Sequence, residues 1–449
     1  MSALSSKAEA LKSPSTSVAL AVFFGLLYVF GGKDFQLQTW QLPILQLCTV
    51  SFLYHSIIIW RNNPFDKAYI SKILRIPAVL IFLIAVQLVP LPMEWVAKMQ
   101  PQLLGEIRAF GDPGGWVPLT TDAHQTVHFL LYAIMGVALY IAFRLESRCA
   151  IVLALKCLLC VAFFSLALAA VQVSTDGRAF DFWNSPHASY GPGIFANRNH
   201  QALFFGMTIA AIWWMAGQAA IFPRWLAITF TLMLLIGVIS TGSRAGMILT
   251  LLLFVGSLLV FDERTWSSSR RFKAGWIAVG SAVLAWLAFA NLRVGHSLSR
   301  FNAVEDDLRW TFWRGTWKAV EAFFPAGSGY GTFVDAYAFY ETIDDVSPVY
   351  ANRSHNEYLE LLLEGGLPFV VALAGALTLL ILRTHQLFSR RDILSSTRLP
   401  LLGALWTAAI LLHSFVDYPA RTPAILTLFA LGLALFFTDN DVVVAKDGG

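Results

Sequence analysis

The sequence predicts an all-α, polytopic membrane protein of about twelve transmembrane helices with one sizeable loop outside the bilayer. Two observations carry that prediction. The chain is 57% hydrophobic and 13% charged, with a mean hydropathy of +0.62, whereas a soluble protein carries about a quarter charged residues. Apolar runs of about twenty residues, the length that crosses the hydrocarbon core as a helix, recur from end to end. They lie at 17–31, 39–60, 73–93, 124–143, 149–173, 199–217, 223–240, 244–261, 274–291, 355–382, 399–416 and 422–438.

The first run ends in Gly31-Gly32-Lys33-Asp34 with no small-x-small cleavage site, so it reads as a retained span rather than a removed signal. Orientation follows from the basic residues between the other runs. Arg61, Lys67, Lys72 and Arg75 form one cluster; Arg144 and Arg148 a second; Arg224 stands alone; Arg264, Arg270, Arg271 and Lys273 form another; and Arg383, Arg390, Arg391 and Arg398 the last. With both termini cytoplasmic, all of these fall inside, as the positive-inside rule requires. No long basic run or basic-aromatic motif points to nucleic acid. Cys48, Cys149, Cys157 and Cys160 all lie in or beside apolar runs, so neither a disulfide framework nor a cysteine metal site is expected.

That topology sends every unusual polar motif to the outer face. These are Phe195-Ala196-Asn197-Arg198-Asn199-His200, Thr241-Gly242-Ser243-Arg244-Ala245-Gly246, the loop 292–354, the stretch from Arg353 to Gly366, and Asp417-Tyr418-Pro419-Ala420-Arg421. No internal repeat is evident. The loop is too short for an independent domain with a large core. Within it, Asp307–Phe324 reads as a helix with an acidic start, and its tryptophans mixed with Arg309, Arg314 and Lys318 suit the headgroup zone. Pro325 and the glycines of Gly327-Ser328-Gly329-Tyr330-Gly331 end it. Without a lysine or a preceding strand, they read as a tight turn rather than a nucleotide cradle.

His355 is the candidate for proton chemistry. It sits at the mouth of an apolar helix, beside Asn356 and above Glu357, Glu360 and Glu364, which share one helix face. Ionisable groups at membrane depth persist mainly where they serve a function, and an imidazole is suited to accept a hydroxyl proton near neutral pH. Arg244, between Gly242 and Gly246, can grip a phosphorylated headgroup through its planar fork or simply reach the headgroups from a turn. Arg309 and Arg314 read as snorkelling interfacial arginines. Arg309 reads equally as a salt-bridge partner of the acidic cap beside it, and only convergence with Arg244 points either to a phosphate. Asn199 reads as either a helix cap or, with Asn197 and His200, a sugar contact. His413 and Asp417, four residues apart, read as a hydrogen-bonding pair on one helix face. No compact zinc-type spacing of His, Asp and Glu occurs, so no metal and no cofactor is expected.

Taken in order, these stretches resemble the bacterial O-antigen ligase and polymerase superfamily. Ser243-Arg244-Ala245-Gly246 is similar to its Ser-Arg-Gly segment. Arg309 with Trp313, followed by Pro325 through Phe333, resembles its outer-loop signature. His355-Asn356-Glu357-Tyr358-Leu359 with Glu364-Gly365-Gly366 resembles its His-Asn-x-x-Leu…Glu-x-Gly helix. Gly193 to Asn199 and His413 to Asp417 resemble further stretches of that family. Two departures are Ala245, where the family often has glycine, and Arg198, where proline is common. The resemblance covers about 190–420, which divides the chain into N-terminal helices 1–189, a ligase-like catalytic region 190–438 and a cytoplasmic tail 439–449.

Membership implies a GT-C-like fold and a metal-independent, inverting glycosyltransferase in the bacterial inner membrane, with its site on the periplasmic face. The donor would be a glycan on undecaprenyl diphosphate, and the acceptor lipid A-core for a ligase or a growing polysaccharide for a polymerase. His355, Arg244 and Arg309 are then the candidate catalytic residues: the arginines face the diphosphate and His355 takes the acceptor proton, oriented by Asp417 or a neighbouring glutamate. Arg314, Asn197, Asn199, Asn356, Glu364, His413 and Asp417 are the candidate substrate-binding residues. A twelve-helix transporter is the alternative of another class, but it commonly shows two similar halves, which this sequence lacks.

Overall fold

The computed structural model describes residues 14–61, 67–100, 115–218, 220–261, 305–342, 351–389 and 398–438. The predicted span 274–291, the tail 439–449 and the basic residues at 264–273 and 390–391 lie outside them. The described helices are α1 Pro14–Phe30, α2 Gln41–Arg61, α3 Lys67–Ala85, α4 Met93–Met99, α5 Ala123–Leu145, α6 Arg148–Ser174, α7 Arg198–Gly217, α8 Arg224–Ser240, α9 Arg244–Phe261, α10 Glu305–Phe323, α11 Phe333–Ala338, α12 Glu357–Ser389, α13 Leu399–His413 and α14 Pro423–Phe436. Two short strands, β1 Leu91–Pro92 and β2 Trp116–Val117, pair antiparallel with Leu91 opposite Val117.

Every predicted span except 274–291 overlaps one of these helices. The span predicted at 73–93, however, runs past the end of α3 at Ala85 into a 3-10 turn, Val86–Leu88, and β1, where Pro90 and Pro92 do not allow an α-helix to continue. Five helical stretches are long and apolar enough to cross a membrane (Gln41–Ile58, Ala123–Leu145, Arg148–Ser174, Arg244–Phe261 and Glu357–Ser389), and five others are shorter and apolar. The shortness of α13 and α14 corrects the predicted spans 399–416 and 422–438. At 1.5 Å per residue these helices reach only about 20 Å, less than the roughly 30 Å hydrocarbon core. The chain between them, 414–422, holds no α-helix, only a 3-10 turn at Pro419–Arg421, with Ser414, Asp417, Tyr418 and Arg421 buried. Non-helical backbone among membrane helices is tolerated where protein covers it.

α7 is the central post. Its residues from His200 to Met215 are all buried, as expected of a helix that is apolar around its whole circumference. It packs most extensively on α9, and also on α8 and α13. Small residues allow the close approach typical of membrane helices. A Cβ on Gly246 would collide with Ala202, and one on Gly206 would lie 2.7 Å from the Thr250 hydroxyl. Gly246 thus serves helix packing.

The amphipathic α10 lies against α12, burying Phe312, Ala319, Val320 and Phe323 while Trp310, Trp317 and Phe324 stay exposed. The helix predicted at 355–382 is broken at Gly366, which has φ 56° and ψ −144°. A Cβ there would collide with the Pro325 carbonyl. The glycine turn seats on that break: Ser328 N–H donates to the Leu363 carbonyl (2.9 Å) and Gly329 N–H to the Glu364 carbonyl (3.0 Å). These contacts fix the first two turns of α12, the part that carries the polar motif.

Candidate functional site

Polar residues from five distant stretches meet at one end of the helix bundle. α7, α9, α12 and α14 begin there, and α1 and α13 end there. At the centre is Asp417, wholly buried. Its Oδ1 accepts a hydrogen bond from His355 Nδ1 at 3.2 Å and from the Tyr418 N–H at 3.0 Å. Its Oδ2 accepts from Asn197 Nδ2 at 3.0 Å and Asn199 Nδ2 at 2.8 Å. Burial pushes the Asp417 carboxyl up, but the His355 hydrogen bond and the nearby His200 and His413 outweigh it and hold the group well below the usual carboxylate range.

An ionised carboxylate only accepts hydrogen bonds, so His355 Nδ1 must carry the proton toward it. The neutral ring then presents the Nε2 lone pair on its other edge, and the His355 side chain is 24% exposed. This is the arrangement of a general base whose tautomer is set by a buried acid. Tyr418, with its ring centroid 5.1 Å from that of His355, does not compete for the role, because burial pushes its phenol far up.

His355 has φ 53°, a left-handed conformation that costs a non-glycine residue of the order of 1–3 kcal/mol and needs support from its surroundings. The two preceding residues supply it. The Ser354 N–H donates to Glu360 Oε2 (3.0 Å), and the Ser354 carbonyl accepts from Trp313 Nε1 (3.0 Å). Arg353 is buried and forks onto Asp34, with Nε to Oδ2 at 2.6 Å and Nη2 to Oδ1 at 2.7 Å, while its Nη1 meets Glu360 Oε1 at 2.8 Å. Arg421, also buried, reaches Glu364 at 2.9 Å, Glu360 at 3.2 Å and Glu357 at 3.5 Å.

The glutamate ladder is therefore an internal ionic cluster that anchors the loop carrying His355. Removing a partner from such a buried cluster is costly, because it strands a charge. Sequence reasoning assigned no role to Asp34, Arg353 or Arg421. The available signal was charge balance: three glutamates on one face of a membrane helix need cations, and Arg353 and Arg421 were the arginines nearest in the same motifs.

The remaining predicted residues divide. Asn197, rather than Asn199, caps α7: its Oδ1 accepts from the Asn199 N–H at 2.8 Å. Both side-chain amides serve Asp417, and His200 is wholly buried, so the expected sugar contact of His200 is corrected. Asn356 caps α12 through the Leu359 N–H at 3.1 Å. Glu364 belongs to the ionic cluster.

His413 and Asp417 do not form the expected side-chain pair. α13 ends at His413, the Asp417 carboxylate turns to His355, and neither His413 ring nitrogen has a hydrogen-bond partner among the described residues. The His413 and His200 rings lie edge to face at 6.3 Å. Arg309 is close enough to act electrostatically on His413, which places it beside the cluster. Arg314 is exposed and hydrogen bonds to Thr311 at 3.4 Å. Five residues of helix turn it about 140° away from Arg309.

Arg244 is exposed and opens α9. The preceding turn lies against Arg198, the neighbour of Asn197 and Asn199, which ties it to the Asp417 cluster. Among the described residues, no three His, Cys, Asp or Glu side chains are placed to share a metal ion.

Residues 229–374 match the family model for O-antigen ligase. That segment is O-antigen ligase-related. The matched segment contains Arg244, Arg309, His355 and Glu364; it stops before Asp417 and begins after Asn197 and Asn199. No curated protein and no solved structure gives a match. The matched segment, together with the apolar helices, supports a membrane enzyme of the ligase and polymerase type with glycosyltransferase-like chemistry.

Proposed function

We propose that this protein transfers a glycan from undecaprenyl diphosphate to an acceptor hydroxyl at the periplasmic face of the inner membrane, acting as an O-antigen ligase onto lipid A-core. The observation that carries the reading is the buried Asp417 hydrogen bonded to His355 Nδ1, which leaves Nε2 as the candidate base on a partly exposed side chain. In the proposed step, the acceptor oxygen attacks the anomeric carbon from the side opposite the diphosphate and inverts it. The hydroxyl proton passes to His355 Nε2, the bond from the anomeric carbon to the diphosphate oxygen breaks, and its electron pair leaves on the diphosphate. Arg244 and Arg309 offset the developing negative charge. Fixed guanidiniums can stabilise such a leaving group without a metal ion.

Asn197 and Asn199 act through Asp417. The Asp34–Arg353–Glu360 bridge holds the strained His355 in place. The chain's apolar composition and the gathering of the site at one bundle end support a membrane-face reaction, and the twelve-helix, GT-C-like description belongs to the same proposal.

The test is transfer by the purified protein from a lipid-linked glycan. His355→Ala should lose transfer while remaining folded, and chelation of divalent ions should leave the wild-type rate unchanged. A His355→Ala variant at full rate would refute the base assignment, and chelator inhibition reversed by a divalent ion would refute metal independence. In cells lacking the protein, long chains retained on the carrier lipid identify a ligase, and single repeat units in place of long chains identify a polymerase. An unchanged glycan profile would refute the transferase reading.

A further inference from the structure

Arg198 has no part in the chemistry above, yet its position joins the two halves of the proposed site. It is the first residue of α7, as Arg244 is of α9. Its neighbours Asn197 and Asn199 both hold Asp417, so its backbone is fixed relative to His355. Its guanidinium lies over the Tyr190 ring, 4.3 Å from the centroid. Its Nη1 is 3.5 Å from where a Cβ on Gly242 would stand, with the Tyr190 ring 3.7 Å from the same point. Gly242 is exposed, has φ 63° and precedes Arg244 by two residues, a span of at most about 7 Å of chain.

Stacking on an aromatic ring engages the flat face of a guanidinium and fixes its plane, while recognition of phosphate uses its N–H edge. Tyr190 thus sets the orientation of a cation beside the Gly242 turn, on the approach to Arg244. A glycan-linked diphosphate carries two negative charges on adjacent phosphates, and a monophosphate linkage carries one. Two arginines that flank one glycine turn match the former.

Building on the donor reading above, we infer that Arg198 is a second phosphate-binding residue, paired with Arg244, that sets the preference for a diphosphate over a monophosphate carrier lipid. Tyr190 is its positioning residue.

The test is binding of two undecaprenyl lipids that carry the same glycan, one through a diphosphate and one through a monophosphate linkage, to the full chain in detergent micelles, with folding followed by thermal melting. Wild type should prefer the diphosphate. Arg198→Gln should bind the diphosphate about tenfold more weakly, the loss of one charge-assisted hydrogen bond, with monophosphate binding nearly unchanged. Arg198→Lys, which keeps the charge without the fork, should show a smaller loss of the same sign, and it decides the question should the glutamine variant misfold.

Unchanged diphosphate binding in both Arg198 variants, with binding lost in Arg244→Gln, would overturn the role of Arg198 and leave the donor reading standing. An equal loss for both lipids would overturn the specificity claim. Failure of the wild type to bind either lipid would overturn the donor reading itself.

Discussion

Asp417→Asn isolates the contribution of one buried carboxylate. The wild-type group accepts four hydrogen bonds, two on each oxygen: from His355 and the Tyr418 N–H on Oδ1, and from Asn197 and Asn199 on Oδ2. Asparagine keeps one oxygen. If that oxygen faces His355, the new NH2 confronts two amide donors. Asn197 cannot turn its own amide to compensate, because its Oδ1 caps the Asn199 N–H. Two stranded donors at about 1–3 kcal/mol each destabilise the fold by about 2–6 kcal/mol.

If the NH2 instead faces His355, Nδ1 must become the acceptor, the ring proton moves to Nε2, and the base is lost. In that orientation the transfer rate should fall by the contribution of general base catalysis, about 10²–10⁴-fold. In the first, Nε2 remains the base but loses the charge that stabilises the imidazolium, and the rate falls as well. The assay is single-turnover transfer from a lipid-linked glycan in micelles, with melting recorded on the same preparation. A folded Asp417→Asn variant within about threefold of the wild-type rate, well short of that range, would refute the pairing as the source of catalysis.

Asp34→Asn removes a charge that binds both Nε and Nη2 of Arg353. Breaking such a buried pair should cost about 3–5 kcal/mol, read as a lowered melting temperature; an unchanged melt would mean that Glu360 alone secures the loop. The depressed Asp417 carboxyl also fixes the sign of a pH effect. Its stabilising contribution is fully present above the unfolded carboxylate value, about 3.9, and is lost as the pH falls through the lower folded value. The melting difference between wild type and Asp417→Asn should therefore stay level from about pH 8 to about pH 5 and narrow only below about pH 4. Narrowing already near pH 6 would show that Asp417 is not held ionised.

Much of the architecture was legible because membrane helices announce themselves by length and hydropathy. The limits of α7, α8 and α9 fall within a residue of the predicted spans, since capping and turn residues mark their ends. The ends of α13 and α14 were misjudged by a few residues. There the chain stays buried in a 414–422 segment that holds no α-helix, and composition does not separate buried loop from buried helix. The break in α12 was hidden for a related reason: Gly365 and Gly366 are common in membrane helices, and only the Pro325 carbonyl packed against Gly366 shows why glycine is needed.

The candidate site divides in the same way. The sequence by itself determined which residue types are costly in this chain: a histidine, a row of glutamates, several arginines and an aspartate in apolar surroundings, grouped in motifs with a family resemblance. It also pointed to one bundle end for all of them, through the charge bias of the loops. Only the tertiary structure decided the partners. Glu357, Glu360 and Glu364 turned from a possible catalytic ladder into an ionic anchor because Arg353 and Arg421 fold onto them. Asp417 paired with His355, 62 positions away, rather than with His413, because α13 ends before it. Local spacing can place side chains on a shared helix face, but a buried charge takes whichever partner best offsets its desolvation, and in this bundle that partner comes from another element.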